Sequence, residues 1–125
     1  MRTKYKDKTF LQGVGYCLEG IAHTFKNERN FRIEIFMGIM AVILSFIFKI
    51  SLVEWVIIVF MINLVLILEL INTAFESMVD LYTQDYNKIA KATKDVIAGA
   101  VLVTCLFSLV IGFLIFAPKI IERMM

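Results

Sequence analysis

Three long apolar runs and one apolar stripe divide this chain into four helices. Phe10, Val14, Leu18, Ile21 and Phe25 recur at i, i+4, i+8, i+11 and i+15, with Gln12, Glu19 and Lys26 largely off that line. The spacing predicts an amphipathic surface helix over about residues 9–27. Gly13 and Gly15 complete neither a Gly-x-Gly-x-x-Gly nor a Walker pattern, so they suit helix packing or a bend. Ile35 to Phe48 then supplies only fourteen uncharged residues. That is about 21 Å of helix against a hydrocarbon core of about 30 Å. The first span must therefore run over about residues 31–50 and carry Arg32 and Glu34 in its cytoplasmic end. The connection Lys49–Glu54 is short enough to force an antiparallel hairpin, and Trp55 follows where an interface aromatic belongs.

The second run has the same shortfall, because Trp55 to Leu68 is again fourteen residues. To cross, its helix must extend over about residues 52–72, and it continues to about residue 81. This length argument sets depth: Glu69 falls inside the membrane boundary, while Glu76 and Asp80 project beyond it. Asn63, halfway along, predicts an interhelical hydrogen bond. Leu81 to Asn87 breaks the apolar pattern with Thr, Asp and Asn residues that can cap a following helix. Lys88, Lys91 and Lys94 follow at i, i+3 and i+6, and Val96 to Pro118 gives twenty-three residues without a charge, a third span over about 96–117. Ala98, Gly99 and Ala100 at its start would admit a close neighbouring helix.

Composition agrees: 60% of the 125 residues are hydrophobic, and the mean hydropathy is +0.82. The chain reads as an all-α integral membrane protein, one small domain over residues 1–125. Residues 1–8 are basic and polar and read as poorly ordered. No apolar core or cleavage-type site follows them directly, so no removable targeting segment is expected. Cys17 and Cys105 lack metal or redox spacing and read as packing residues, and His23 as a surface histidine. A net charge of +2 is too small to point to nucleic acid. Its distribution matters more: seven Lys or Arg precede the first apolar run at Ile35, one lies in the hairpin, three in the second loop and two in the tail. The N-terminus and second loop are therefore expected in the cytoplasm, the hairpin and C-terminus outside.

One stretch carries candidate chemistry. At about 100° per residue, Asn72, Glu76 and Asp80 lie at roughly 300°, 340° and 20° from Glu69, so all four share a narrow stripe without a Lys or Arg. A carboxylate taken into hydrocarbon costs on the order of 2.5–3.5 kcal/mol on insertion scales, which makes Glu69 a functional candidate. The alternatives are an exposed helix face leaving the membrane, or the intramembrane acid of a proton-coupled transporter. The transporter reading expects its acid near mid-bilayer, whereas this one lies at the edge. Carboxylates and amides at one membrane face, opposed by lysines from the next helix, fit phosphoryl transfer from a nucleotide to a lipid alcohol. Such chemistry needs a base, a cation on the phosphates and a divalent metal held by carboxylates, for which Mg²⁺ is the natural choice.

Glu69-Leu-Ile-Asn72-Thr-Ala-Phe-Glu76-Ser-Met-Val-Asp80 and Ala92-Thr-Lys94-Asp95-Val-Ile-Ala-Gly-Ala-Val, supported by Asn27-Glu28-Arg29-Asn30, resemble the prokaryotic diacylglycerol kinase and undecaprenol kinase family over almost the whole chain. The resemblance implies a homotrimer of three-span protomers in the bacterial plasma membrane, each with an N-terminal surface helix. It implies ATP as co-substrate and Mg²⁺ as cofactor. Carried over by position, Glu69 is the base for the lipid hydroxyl with Asn72 as its polar support, and Glu28 and Glu76 are the metal-coordinating carboxylates. Lys94 falls on nucleotide phosphate, and Tyr16, Asp85, Tyr86, Asn87 and Asp95 align with nucleotide-contacting positions; Asp80 has a supporting role. Thr9, Ala98 and Asn87 stand where the Gram-negative diacylglycerol kinases carry arginine, serine and commonly histidine. With the Phe116-Ala-Pro118-Lys119-Ile ending, they resemble the Gram-positive branch, which implies undecaprenol as the lipid ahead of diacylglycerol.

Overall fold

A computed structural model describes residues 9–125 as four helices: α1 (Phe10–Asn27), α2 (Arg29–Ile47), α3 (Leu52–Tyr82) and α4 (Lys88–Met124). The basic start, residues 1–8, lies outside the described residues. Helices α2, α3 and α4 are each long and apolar enough to cross a membrane. α3 packs against both α2 and α4, and α1 rests on α2 and α3.

Each helix boundary has a local cause. Thr9 Oγ1 accepts from the Gln12 amide at 3.2 Å while Gln12 Oε1 accepts from the Thr9 amide at 3.0 Å, a reciprocal box that starts α1. Glu28 adopts extended geometry (φ −111°, ψ 109°), and this single residue separates α1 from α2. Arg32 folds back across that break and donates to the carbonyls of Phe25 at 2.7 Å and Lys26 at 3.0 Å. A guanidinium there satisfies carbonyls left open at a helix C-terminus and faces the negative end of its dipole.

Lys49 takes a left-handed backbone (φ 50°), uncommon for a residue with a Cβ, and turns the chain between α2 and α3. Ser51 and Glu54 form a second capping box at the start of α3. The expected tight hairpin is thus built from one strained residue and one cap. Ile50, Ile58, Ile115 and Phe116 form the buried cluster at this end. Trp55 meets the Phe46 ring edge-on with centroids 4.8 Å apart.

α4 does not stop at Pro118, where the uncharged run ends, but continues to Met124. Proline removes one hydrogen bond from the ladder, and contacts to the hairpin hold the last turns. Lys119 Nζ lies 2.6 Å from Glu54 Oε2, and the Arg123 guanidinium sits 5.5 Å from the centre of the Phe48 ring. The close approach between helices also differs from expectation. A Cβ at Gly99 would meet nothing within 4 Å, whereas one at the buried Gly38 of α2 would stand 3.1 Å from Ile62 Cγ2 of α3. Gly38 is where the Ile62 side chain of α3 packs onto the backbone of α2. Asn63 is exposed and makes no interhelical hydrogen bond among the described residues, contrary to the expectation. Cys17 is likewise exposed rather than packed.

Candidate active site

The predicted acidic stripe becomes a buried polar seam on α3, the helix that contacts every other one. Glu69 is 1% exposed and Asn72 6%, although both are polar. The Thr73 hydroxyl, also buried, donates to the Glu69 carbonyl at 3.0 Å. Asn72 Nδ2 donates to Glu76 Oε1 at 3.3 Å, and Asn72 Oδ1 is buried without a hydrogen-bond partner among the described residues. A buried amide oxygen without a donor is an uncommon arrangement that calls for a partner outside the chain. Glu28, at the α1–α2 break, and Glu76 are both near enough to act electrostatically on Glu69.

Glu34 of α2 joins this group and was missed as a site residue by sequence reasoning. It too acts electrostatically on Glu69. Its Oε1 accepts from the Cys105 thiol at 3.7 Å, while Oε2 is buried and unpartnered among the described residues. Glu34 also lines a cavity of about 500 Å³ between α2, α3 and α4, otherwise walled almost entirely by apolar side chains such as Met37, Leu44, Ile62, Val65 and Phe113. The signal was present: the first span is short by the same count as the second, so Glu34 lies at a depth like that of Glu69.

A second, polar hollow of about 380 Å³ lies where α3 turns into α4. It gathers the predicted Asp85, Tyr86, Asn87, Lys94 and Asp95, and adds Asp80 and Lys91. Asn87 caps α4, its Oδ1 accepting from the amides of Ile89 at 2.8 Å and Ala90 at 3.1 Å. Thr83 Oγ1 accepts from the Asp85 amide at 3.1 Å, shaping the loop. Lys94 Nζ pairs with Asp80 Oδ1 at 2.6 Å, and Lys91 Nζ pairs with Asp95 Oδ2 at 2.6 Å. Tyr16, on α1, is not among the residues that line this hollow. No group of three His, Cys, Asp or Glu side chains stands close enough to hold a metal among the described residues, so Glu28 and Glu76 do not by themselves form a closed metal site.

The sequence profile described as prokaryotic diacylglycerol kinase matches residues 15–116. The chain belongs to that family. An undecaprenol kinase of Bacillus subtilis is 40% identical over 111 residues, 89% of this chain and 90% of that protein. A diacylglycerol kinase of Haemophilus influenzae is 30% identical, covering 85% of this chain and 91% of its own length. A diacylglycerol kinase of Synechocystis is 34% identical over 87% of this chain but only 63% of the longer relative. The profile takes in all the candidate residues at Tyr16, Glu28, Glu34, Glu69, Asn72, Glu76, Asp80 and 85–95. A prokaryotic diacylglycerol kinase fold thus carries one hollow lined by charges and one cavity lined by hydrocarbon, with the half-buried Glu34 of α2 in the cavity wall and near enough to act on the buried Glu69 of α3.

Proposed function

We propose that this chain is a lipid kinase that transfers the γ-phosphoryl group of ATP to the hydroxyl of undecaprenol at the cytoplasmic face of a bacterial plasma membrane. The observation that carries the reading is the buried Glu69, on the same seam as an amide oxygen that has no partner among the described residues and near an acid that lines the apolar cavity. A proton acceptor at that depth meets a lipid alcohol whose chain stays in hydrocarbon. The 40% identity to an undecaprenol kinase favours the isoprenoid alcohol; diacylglycerol, the substrate named for the other relatives, is the second choice.

In this reading Glu69 takes the proton from the lipid hydroxyl as its oxygen attacks the γ-phosphorus in line with the departing β-phosphate oxygen. Asn72 holds the Glu76 carboxylate on the same seam through its Nδ2, and Glu34 lines the cavity that takes the lipid chain. Lys94 donates to phosphate oxygens, and Asp85, Tyr86, Asn87 and Asp95 wall the nucleotide, with Tyr16 contributing from α1. Glu28 and Glu76 offer carboxylate oxygens, the donor type that suits Mg²⁺, and would hold it together with the nucleotide. Bound there, Mg²⁺ supplies charge neutralisation on the phosphates. The hollow itself argues for a metal: Asp80, Asp85 and Asp95 outnumber Lys91 and Lys94, so a bare polyphosphate would meet net repulsion.

The chain acts as one membrane domain, as a homotrimer, with α1 lying on the membrane surface, the N-terminus inside and the C-terminus outside. Purified protein in lipid vesicles, given γ-labelled ATP, Mg²⁺ and either undecaprenol or diacylglycerol, tests the assignment. Labelled undecaprenyl phosphate formed in preference is the expected result. Label only in phosphatidic acid would move the substrate, and label in neither would end the proposal.

A further inference from the structure

The floor of the apolar cavity and the buried acid belong to one line on α3. Ile58, Met61, Ile62 and Val65 line the cavity and recur at i, i+3, i+4 and i+7, with Glu69 next at i+11. A helix brings all five within about 100° of its circumference. Glu69 therefore stands one turn, about 6 Å, beyond the last floor residue and about 16 Å from the first. Walls rise from α2 and α4, and Met37, Met40, Leu109 and Phe113 on those walls are exposed. The cavity is open to surrounding lipid along that side, so a chain can enter it from the bilayer.

The far end is shut. Ile58 and Phe116 line the cavity there and belong to the buried cluster that they form with Ile50 and Ile115. Trp55, the only tryptophan in the sequence, packs against the same cluster. The space between the acid and this stop has two measures, and they agree. An extended carbon chain advances about 1.3 Å per bond, so an isoprene unit, four bonds along the chain, covers about 5 Å and about three units span 16 Å. A chain carbon takes about the room of a water molecule, roughly 30 Å³, so the cavity of about 500 Å³ holds about seventeen carbons, again three five-carbon units and little more.

We propose that the cavity seats the three isoprene units next to the hydroxyl of a single-chain lipid alcohol, while the rest of the chain stays in the bilayer and is not read. The inference rests on the lipid-kinase reading and adds which end of the substrate is recognised, and how much of it. A lipid with two long chains can seat only one of them here. Prenols of three or four units are then substrates as good as undecaprenol, in the same reaction: the prenol oxygen takes the γ-phosphoryl group, ADP leaves and Glu69 takes the proton. Gly112 of α4 sets the usable depth. It lines the cavity one turn before Phe116, and a Cβ there would meet nothing within 4 Å. A larger side chain at this position has room to enter the cavity and shorten it by about one turn of helix, or one isoprene unit.

The test gives purified protein in vesicles ATP, Mg²⁺ and prenols of two, three, four or eleven units at equal mole fraction in the bilayer. A chain already in lipid gains packing rather than hydrophobic free energy on entering the cavity, so kcat/KM should rise only several-fold from two units to three and stay within about two-fold from three to eleven. In Gly112→Leu the two-unit and three-unit prenols should react alike. A second readout needs no turnover. A three-unit prenol dibrominated at its terminal double bond should quench Trp55 fluorescence more than one dibrominated at the double bond beside the hydroxyl, and Gly112→Leu should remove the difference. A kcat/KM that keeps climbing to eleven units, or a three-unit advantage untouched by Gly112→Leu, overturns the proposal. Equal quenching by the two brominated prenols overturns it without reference to catalysis. Phosphorylation of no prenol, with the quenching difference intact, ends the kinase reading and leaves the chain seated in the cavity.

Discussion

Lys94 Nζ and Asp80 Oδ1 stand 2.6 Å apart and tie the end of α3 to the first turns of α4 across the loop that walls the polar hollow. Both side chains are about half exposed, at 38% and 50%. Pairs of that kind contribute about 0–1 kcal/mol to stability, so the effect of this one lies in where it holds the ammonium. One N–H of Lys94 is committed to Asp80, leaving two for phosphate oxygens. Asp80→Asn should therefore raise the KM for ATP several-fold while leaving thermal unfolding nearly unchanged. Lys94→Met, which removes the cation itself, should cost more in kcat/KM. Initial rates against ATP concentration, with melting curves of the same preparations, distinguish positioning from a structural loss; a KM equal to wild type in Asp80→Asn would exclude the positioning role.

Glu69 is the residue on which the proposed chemistry depends. Glu69→Gln keeps the shape and the buried polar contact with its surroundings but cannot accept a proton. General-base catalysis contributes typically 10²–10⁴-fold, so the variant should insert and assemble normally and lose about two orders of magnitude or more in kcat. Single-turnover phosphorylation of undecaprenol measures this, and retention of a tenth or more of the wild-type rate would assign the base elsewhere.

What the sequence made legible, and what it did not, divides along helix boundaries. The stripe of Glu69, Asn72, Glu76 and Asp80 follows from the 100° step within one helix, and its depth from the length of the apolar runs. Asn87 as a cap is equally local. Relations between helices are not local, so they were not readable. That Asp80 rather than Asp95 pairs with Lys94 depends on how the loop 83–87 closes, and that Arg32 caps α1 depends on the break at Glu28. The Gly99 and Gly38 outcome has the same origin: small residues are visible in both segments, but only packing decides which one meets a neighbour.

Gly38 offers a direct measure of that packing. Alanine gains helix propensity of roughly 0.5–1 kcal/mol over glycine, yet its Cβ would stand 3.1 Å from Ile62 Cγ2, which must give by a few tenths of an ångström. The two effects oppose each other, so Gly38→Ala should be close to neutral. Gly38→Val adds two methyl groups that the α2–α3 contact has no room for, and overpacking of this kind costs about 1–3 kcal/mol. Thermal unfolding of the purified variants in detergent tests the order, and equal stability of the valine and alanine forms would show that α2 and α3 are not in contact there.

Magnesium dependence separates the roles of Glu69 and Glu76 on α3. Glu76 Oε1 already accepts a hydrogen bond from Asn72, which orients the carboxylate and leaves Oε2 free to bind a cation. No three-acid group exists among the described residues, so a metal here must draw its remaining ligands from phosphate and water, as Mg²⁺ commonly does. Glu76→Gln retains the hydrogen bond from Asn72 and loses the charge that attracts the ion. Its activity should fall at low Mg²⁺ and recover in part as Mg²⁺ is raised, whereas Glu69→Gln should stay inactive at every Mg²⁺ concentration, because added metal cannot replace a proton acceptor. Rates of both variants over a Mg²⁺ series at saturating ATP make the comparison. A Glu76→Gln deficit independent of Mg²⁺ would take Glu76 out of the metal site and leave it as support for Asn72.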